Sequence, residues 1–325
     1  MQAETIEKLG FAVFPSIAMV AAMELDIFSQ LIDKPLNSNE IAKKLNVKPQ
    51  KLSQLLYALV AAELLTVEAD VFSNTAETEH FLVKGKPEYL GGRYQFYRDR
   101  WNDALQSVDS IREAKPKAKL DFGEMSYDDL DRFLRGLHPS AIALGEQLGE
   151  QFDFSSCNKM LDVGGGTGGV SIALTKAHSS MQATVLELDS VIPVAKKIIQ
   201  EEDAEERVNL QTVDIISEPP VGNFDSAVIC NYLQILSSTD AIKSLHNIYG
   251  VLKEGSEIYI IGRIIDDSRT SPAEIVAFNM VFLNVFDEGQ AYTEKEYRNW
   301  LQQVGFEFKQ RILLPNKVSI LIAGK

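Results

Sequence analysis

Cysteine, histidine and tryptophan are scarce here: two, four and two among 325 residues. The two cysteines, Cys157 and Cys230, make no disulfide framework, and no Cys/His spacing matches a metal site. Cys230 falls in an apolar run and reads as a buried, inert thiol. Long hydrophobic runs are missing as well. The most extended, FAVFPSIAMVAAM, is interrupted and reads as too short to span a bilayer, so no membrane is expected as a partner. No basic-then-apolar leader opens the sequence, and a cytoplasmic location is expected. Positive charge is in deficit, with 32 Lys and Arg against 46 Asp and Glu and a net charge of −14. Such a surface repels polyanions, so nucleic acid is not an expected partner either.

What is present is enough apolar content, 45%, for one or two domains with a sizeable core. Residues 5–32 carry apolar positions at helical spacing. A short helix follows from Asn37 or Ser38, and a third runs over KPQKLSQLLYALVAAELL with Pro49 in its first turn. LTVEADVFSNT then alternates like a hairpin. Three helices and a hairpin give the winged-helix order over residues 1–90. A groove-reading helix needs a basic, exposed stripe. The third helix offers Lys48, Lys51 and Gln54, then a mostly apolar surface that fits packing or dimerisation better than a DNA-binding regulator.

Residues 91–150 read as a helical, aromatic connector contributing to a substrate pocket. From residue 151 strands and helices alternate. The strands are expected at Lys159–Val163, Ala183–Leu188, Val208–Val213, Ser226–Cys230 and Ile258–Gly262. Helices are expected after Gly169, from Val191, from Asp240, near Pro272–Phe286 and at Glu294–Val304. FEFKQRI and VSILIAGK close the chain as a possible antiparallel edge. The expected fold is α/β: a Rossmann-like domain over 151–325 behind an all-α, winged-helix domain.

The chemistry concentrates in KMLDVGGGTGGVSIAL. Gly164-x-Gly166-x-x-Gly169 after a strand is the spacing of a dinucleotide turn. Yet Asp162 stands two residues before the first glycine, an unhelpful like charge for a pyrophosphate. A second acid, Glu187, ends the next strand and suits ribose hydroxyls. Asp214 follows the third strand, placed for an adenine amino group with Ile215 as an apolar neighbour. Three acids on successive strand ends favour S-adenosyl-L-methionine over NAD. The bland alternative is a glycine turn among solvated acids.

With these residues the chain resembles the O-methyltransferases of the caffeic-acid and hydroxyindole type, methyltransferase family 2. DFSSCNKMLDVGGGTGG with VLELDSVI carries the likeness, as do AAMELDIFSQLIDKPLNSNEIAKKLNVKPQKLSQLLYALVAAELL and EGQAYTEKEYRNWLQQVGF. It implies a class I methyltransferase domain, a winged-helix dimerisation domain, a homodimer and a small-molecule methyl acceptor. By resemblance, Asp162, Gly164 and Gly166 take the methionine end of the cofactor and Glu187 the ribose. Asp214 and Ile215 take the adenine, with Leu188 and Cys230 at neighbouring strand ends.

The chain departs from the family at the base. The family's proton-accepting histidine falls on Gln234 and its tryptophan on Leu236. A lysine often found four residues earlier falls on Cys230, and the acidic partner on Gly262 or Arg263. An amide has no useful proton affinity near neutral pH. His138 is the candidate replacement base. Tyr94, Tyr97, Arg98, Trp101, Arg135 and Asn279 are candidates for the acceptor pocket. Reactions that need no base include S-methylation of a thioether such as methylthiohydroxybutyrate, whose lone pair attacks directly. An ionised phenol or enol, C-methylation and a non-methylating enzyme of the same fold also stay open.

Overall fold

The computed structural model describes residues 2–325, the side chains of residues 93–97, 99 and 100 excepted. It divides into two compact units, residues 1–98 and 99–325. The segment 91–150, set apart on sequence as a connector, is shared between them, since helix Gly91–Ala104 crosses the boundary.

In the first unit, helices Glu4–Phe11, Val13–Glu24 and Ile27–Gln30 precede Ser38–Leu45 and Pro49–Ala61. Strands Leu65–Glu68 and Val71–Asn74 form the hairpin, and Leu36–Asn37 adds a third strand. Asn37 caps its helix in a reciprocal box with Glu40. The hairpin turns on Ala69 and Asp70, both at positive φ, which suits the twist of two adjoining strands. The single helix expected over 5–32 is broken at Asp26 (φ 59°), which turns Ile27 and Phe28 into the core. Glu4–Glu24 differs from expectation in another way: this 21-residue run is long and apolar enough to cross a membrane. Pro15 lies in the first turn of Val13–Glu24, where no N–H partner is lost, so it does not interrupt the helix. No residue of Glu4–Phe11 is buried within the chain.

The second unit is built on Tyr127–Gln151 (α1), then Lys159–Val163 (β1), Gly169–Ala177 (α2), Gln182–Glu187 (β2), Ile192–Glu201 (α3) and Val208–Thr212 (β3). Phe224–Cys230 (β4), Ser238–Val251 (α4), Leu252–Gly262 (β5), Ala273–Val285 (α5), Glu294–Val304 (α6), Glu307–Leu313 (β6) and Ser319–Gly324 (β7) follow. The seven strands stand in the order β3-β2-β1-β4-β5-β7-β6. The first five are parallel, and β7 and β6 form the expected antiparallel edge. Buried apolar clusters lie around the sheet, one including Leu161, Val163, Ile229 and Ile260, another Met160, Val228 and Ile261. Near-continuous apolar strands are what a sheet covered on both faces requires.

The strand order reverses between β1 and β4, and the crevice at their carboxyl ends is where open α/β sheets bind ligands. α1 presses on α2 with little room to spare. A Cβ on Gly145 would stand 2.7 Å from both Ala173 Cβ and the Val170 carbonyl oxygen. One on Gly169 would stand 2.7 Å from Ala141 Cβ. The two backbones meet only because these positions lack side chains, and α2 is thereby fixed where it leaves the glycine turn.

Candidate active site

After β1 the chain turns through Gly164, Gly166 and Gly168, at φ 62°, 59° and 72°. These values lie in the left-handed region that glycine enters without steric cost. The turn leans on Tyr232, just past β4: a Cβ on Gly164 would fall 2.8 Å from the ring. Tyr232 is a site residue that sequence reasoning missed, although an aromatic two positions beyond a strand end was visible there.

Asp162, read as lying at the lip of the turn, lies beneath it. It is fully buried, and a Cβ on Gly165 would come 2.6 Å from its carboxyl carbon. Ser171, in the first turn of α2, donates a hydrogen bond of 2.7 Å to one carboxylate oxygen. The other oxygen is buried with no hydrogen-bond partner. Burial pushes the carboxyl up to about 6. Glu187, at the end of β2, accepts from the backbone N–H of Gly166 at 2.7 Å and of Leu188 at 3.1 Å. Burial, then the charge of Asp162, raises it to about 7. Leu188 itself is 37% exposed.

Asp214 follows β3, exposed, where it accepts from the Ile216 N–H and from the Ser217 hydroxyl. Ile215 turns the other way, into the core beside Val213 and Leu245. Cys230, half-buried at the end of β4, has its thiol pushed up to about 12 by burial. The structure therefore brings Asp162, Glu187 and Asp214 to the ends of three adjoining strands around one glycine turn. A buried carboxylate with one unpaired oxygen suits a cationic ligand, because leaving it unpaired is costly. S-adenosylmethionine fits this set: Asp162 would face its ammonium, and Glu187 would take its ribose hydroxyls. When bound it supplies a methyl group on an electrophilic sulfonium.

Gln234 stands just past β4, 5% exposed, with both ends of its amide engaged. Its oxygen accepts from the Arg263 N–H at 2.7 Å, and its nitrogen donates to Asn231 at 3.2 Å. A Cβ on Gly262 would lie 2.8 Å from that same oxygen. Gln234 thus brackets the ends of β4 and β5. His138, on α1, reaches the glycine turn. Its Nδ1 is 2.7 Å from the Thr167 hydroxyl and its Nε2 3.5 Å from Glu202. Burial is the largest influence on the imidazole and lowers its pKa. His246 is exposed on α4.

The proposed pocket residues are more scattered. Arg135 is held by Glu201 through two hydrogen bonds, 2.6 and 3.0 Å, and by Asp131. Asn279 accepts the Ala291 N–H at 2.7 Å, a structural contact. Arg98 pairs with Glu24 within the first unit. Trp101 is half-buried in helix Gly91–Ala104. Tyr94 and Tyr97 fall outside the described side chains. Arg263 was singled out on sequence only as a departure from a pattern. It is half-buried at the end of β5, with its guanidinium carbon 3.7 Å from the centre of the Phe278 ring. Among the described residues no cluster of three His, Cys, Asp or Glu could hold a metal ion.

This sheet order, with its glycine turn after β1 and the acids at the ends of β1 and β2, is that of an S-adenosylmethionine-dependent methyltransferase. Residues 118–307 match the model of the O-methyltransferase domain and residues 8–84 that of the O-methyltransferase dimerisation domain, and the chain belongs to the O-methyltransferase family. It is 26% identical to 3-hydroxy-5-methyl-1-naphthoate 3-O-methyltransferase of Streptomyces sahachiroi, over 91% of this chain and 87% of that one. It is also 26% identical to the N,N-dimethyltransferase OxyT of Streptomyces rimosus, over 97% of this chain and 94% of the other. In fold it is similar to human N-acetylserotonin methyltransferase in complex with S-adenosylmethionine, with a TM-score of 0.87 and 22% identity. That match covers 100% of this chain and 99% of the human one.

Proposed function

We propose that this enzyme methylates a small molecule whose nucleophile is ready to react without losing a proton to the protein. The observation that carries the reading is Gln234, whose amide is spent on Arg263 and Asn231. Asp162 and Glu187 hold and orient the cofactor, and the acceptor is brought against the methyl group. Proximity and alignment then supply the acceleration. His138 takes no part as a base, because its Nδ1 serves Thr167 and its surroundings disfavour the protonated form. Relatives with oxygen and nitrogen acceptors on one scaffold support leaving the acceptor atom to the local chemistry.

The test is release of S-adenosylhomocysteine with a panel of phenol, enol and thioether acceptors. Gln234→Ala should lower kcat less than tenfold, since removing a general base costs a factor of ~10²–10⁴. The pH–rate profile should be the same for His138→Gln as for the parent. A dead but folded Gln234→Ala that still binds cofactor would sink the reading.

The chain acts as a homodimer through its N-terminal unit. Ile6 and Leu9 are 73% and 70% exposed, and Phe11, Phe14 and Ile17 continue that apolar surface. Exposed apolar area of this kind marks an interaction site. A second copy is the occupant that the matched dimerisation domain favours. Light scattering should give twice the chain mass for the parent protein and the single mass for Leu9→Glu/Phe14→Glu. A parent protein that stays monomeric at micromolar concentration contradicts this.

A further inference from the structure

The base-free reading leaves His138 without a task, yet its side chain, only 14% exposed, is spent on the glycine turn. Thr167 stands between Gly166 and Gly168, both at positive φ, so its neighbours are the residues freest to move. A hold from outside the turn is needed to keep it in one shape. α1 supplies it. Leu134, His138, Ala141 and Gly145 form one stripe at helical spacing. The Leu134 Cδ2 lies 3.4 Å from where a Cβ on Gly166 would stand, and Ala141 and Gly145 face α2. His138 is the polar member of the stripe, with its Nδ1 2.7 Å from the Thr167 hydroxyl.

The direction of that hydrogen bond follows from the partners. The Thr167 oxygen accepts the Gly169 N–H at 3.2 Å, and Thr167 is 3% exposed. Its one hydrogen therefore goes to the His138 Nδ1. This needs a neutral ring with the proton on Nε2, and burial, which lowers the imidazole pKa, favours the neutral form. The Nε2–H then faces Glu202 at 3.5 Å. Gly166, next to Thr167 in the chain, donates its N–H to Glu187 at 2.7 Å. A displaced Thr167 would disturb that link to the second cofactor acid as well.

Resting on the base-free methyltransferase reading above, we propose that His138 is a positioning residue. Through the Thr167 hydroxyl it holds the glycine turn in the shape that receives S-adenosylmethionine. Fixing the turn beforehand removes an ordering cost that the cofactor would otherwise meet on binding. His138 thus sets affinity for the cofactor and leaves the methyl-transfer step alone.

Calorimetry with S-adenosylhomocysteine, which needs no turnover, tests this. His138→Leu should weaken binding roughly tenfold, the effect of one buried hydrogen bond. Thr167→Val should cost at least as much, because it also takes the acceptor from the Gly169 N–H. Being nearly isosteric, it keeps the test open should His138→Leu fail to fold. KM for S-adenosylmethionine should rise in step, with kcat at saturating cofactor unchanged. The double variant should bind no more weakly than Thr167→Val alone, because both changes remove the same bond. His138→Asn should recover most of the affinity, since its Oδ1 is as many bonds from the backbone as Nδ1 and can accept from Thr167. In nitrogen NMR spectra the neutral His138 ring should carry its proton on Nε2, and Thr167→Val should relax that preference. Parent affinity in both single variants would overturn the assignment, as would additive losses in the double variant or a proton on Nδ1. Weaker binding without recovery in His138→Asn would reduce His138 to packing and count against the positioning role alone. Loss of kcat with affinity unchanged would make His138 part of the chemistry, against both this assignment and the base-free reading.

Discussion

Asp162→Asn is expected to weaken S-adenosylmethionine binding at least a hundredfold while leaving the protein folded. The amide keeps the shape of the side chain and its contact with the Ser171 hydroxyl, but the buried negative charge is gone. In the parent protein one carboxylate oxygen has no partner in the chain. A cation is the ligand that would satisfy it, and removing one member of a buried charge pair costs about 3–5 kcal/mol. The same site gives a pH dependence with a definite sign. Burial raises Asp162 to about 6 and Glu187 to about 7. Their uncharged forms therefore favour the fold without ligand, and that contribution is complete below the unfolded carboxyl values of about 4. It is lost as pH rises through 6 and 7. Cofactor binding runs the opposite way, because an ammonium needs Asp162 ionised and hydroxyl donors need an ionised acceptor at Glu187. The rise in melting temperature on adding S-adenosylmethionine should accordingly be small at pH 5.5 and large at pH 8. Asp162→Asn should flatten that trend, and a parent protein with no such trend would refute the assignment.

Gly145→Leu is expected to be among the most damaging single changes in the second unit. A Cβ there meets the Val170 carbonyl oxygen at 2.7 Å, and backbone does not move aside as a flexible side chain would. Overpacking of this kind costs about 1–3 kcal/mol and more when backbone must shift. For a unit of this size about 3 kcal/mol corresponds to a melting temperature lower by roughly 6–12 °C. Because α2 leaves directly from the glycine turn, cofactor affinity should fall with it. Gly149 on the same helix faces only side-chain atoms at 3.5 Å or beyond, so Gly149→Ala serves as the mild control. Equal melting temperatures for Gly145→Leu and the parent would show that α1 can retreat without loss.

The strand–helix alternation was legible in the sequence because parallel strands are buried on both faces and read as apolar runs between turn residues. β1 and α6 were placed to the residue. β5 was not: its first half, Leu252–Glu257, mixes Lys253, Glu254 and Gly255 into a strand and lacks the apolar signal. The break at Asp26 was equally invisible, since a left-handed residue leaves helical spacing intact on either side. At the site, the three acids could be found from their positions at the ends of successive strands. Their depth could not, and Asp162 proved to lie under the turn because β1 aims its side chain at Gly165. Arg135 and Asn279 have the residue types of ligand contacts, but partners distant in sequence, Glu201 and Ala291, engage them.

The bracket between Gln234 and Gly262 also bears on how this chain could change by mutation. A Cβ at position 262 would crowd the glutamine oxygen at 2.8 Å, so the amide would have to swing aside to admit a side chain. An acid introduced there first must displace the amide, leaving the Arg263 N–H without its acceptor. Replacing Gln234 first vacates the space, and only afterwards can position 262 accept a carboxylate. A lineage moving toward a histidine–acid pair is therefore eased by replacing Gln234 first, whereas the reverse order gives up the Gln234–Arg263 hydrogen bond before any new pair exists.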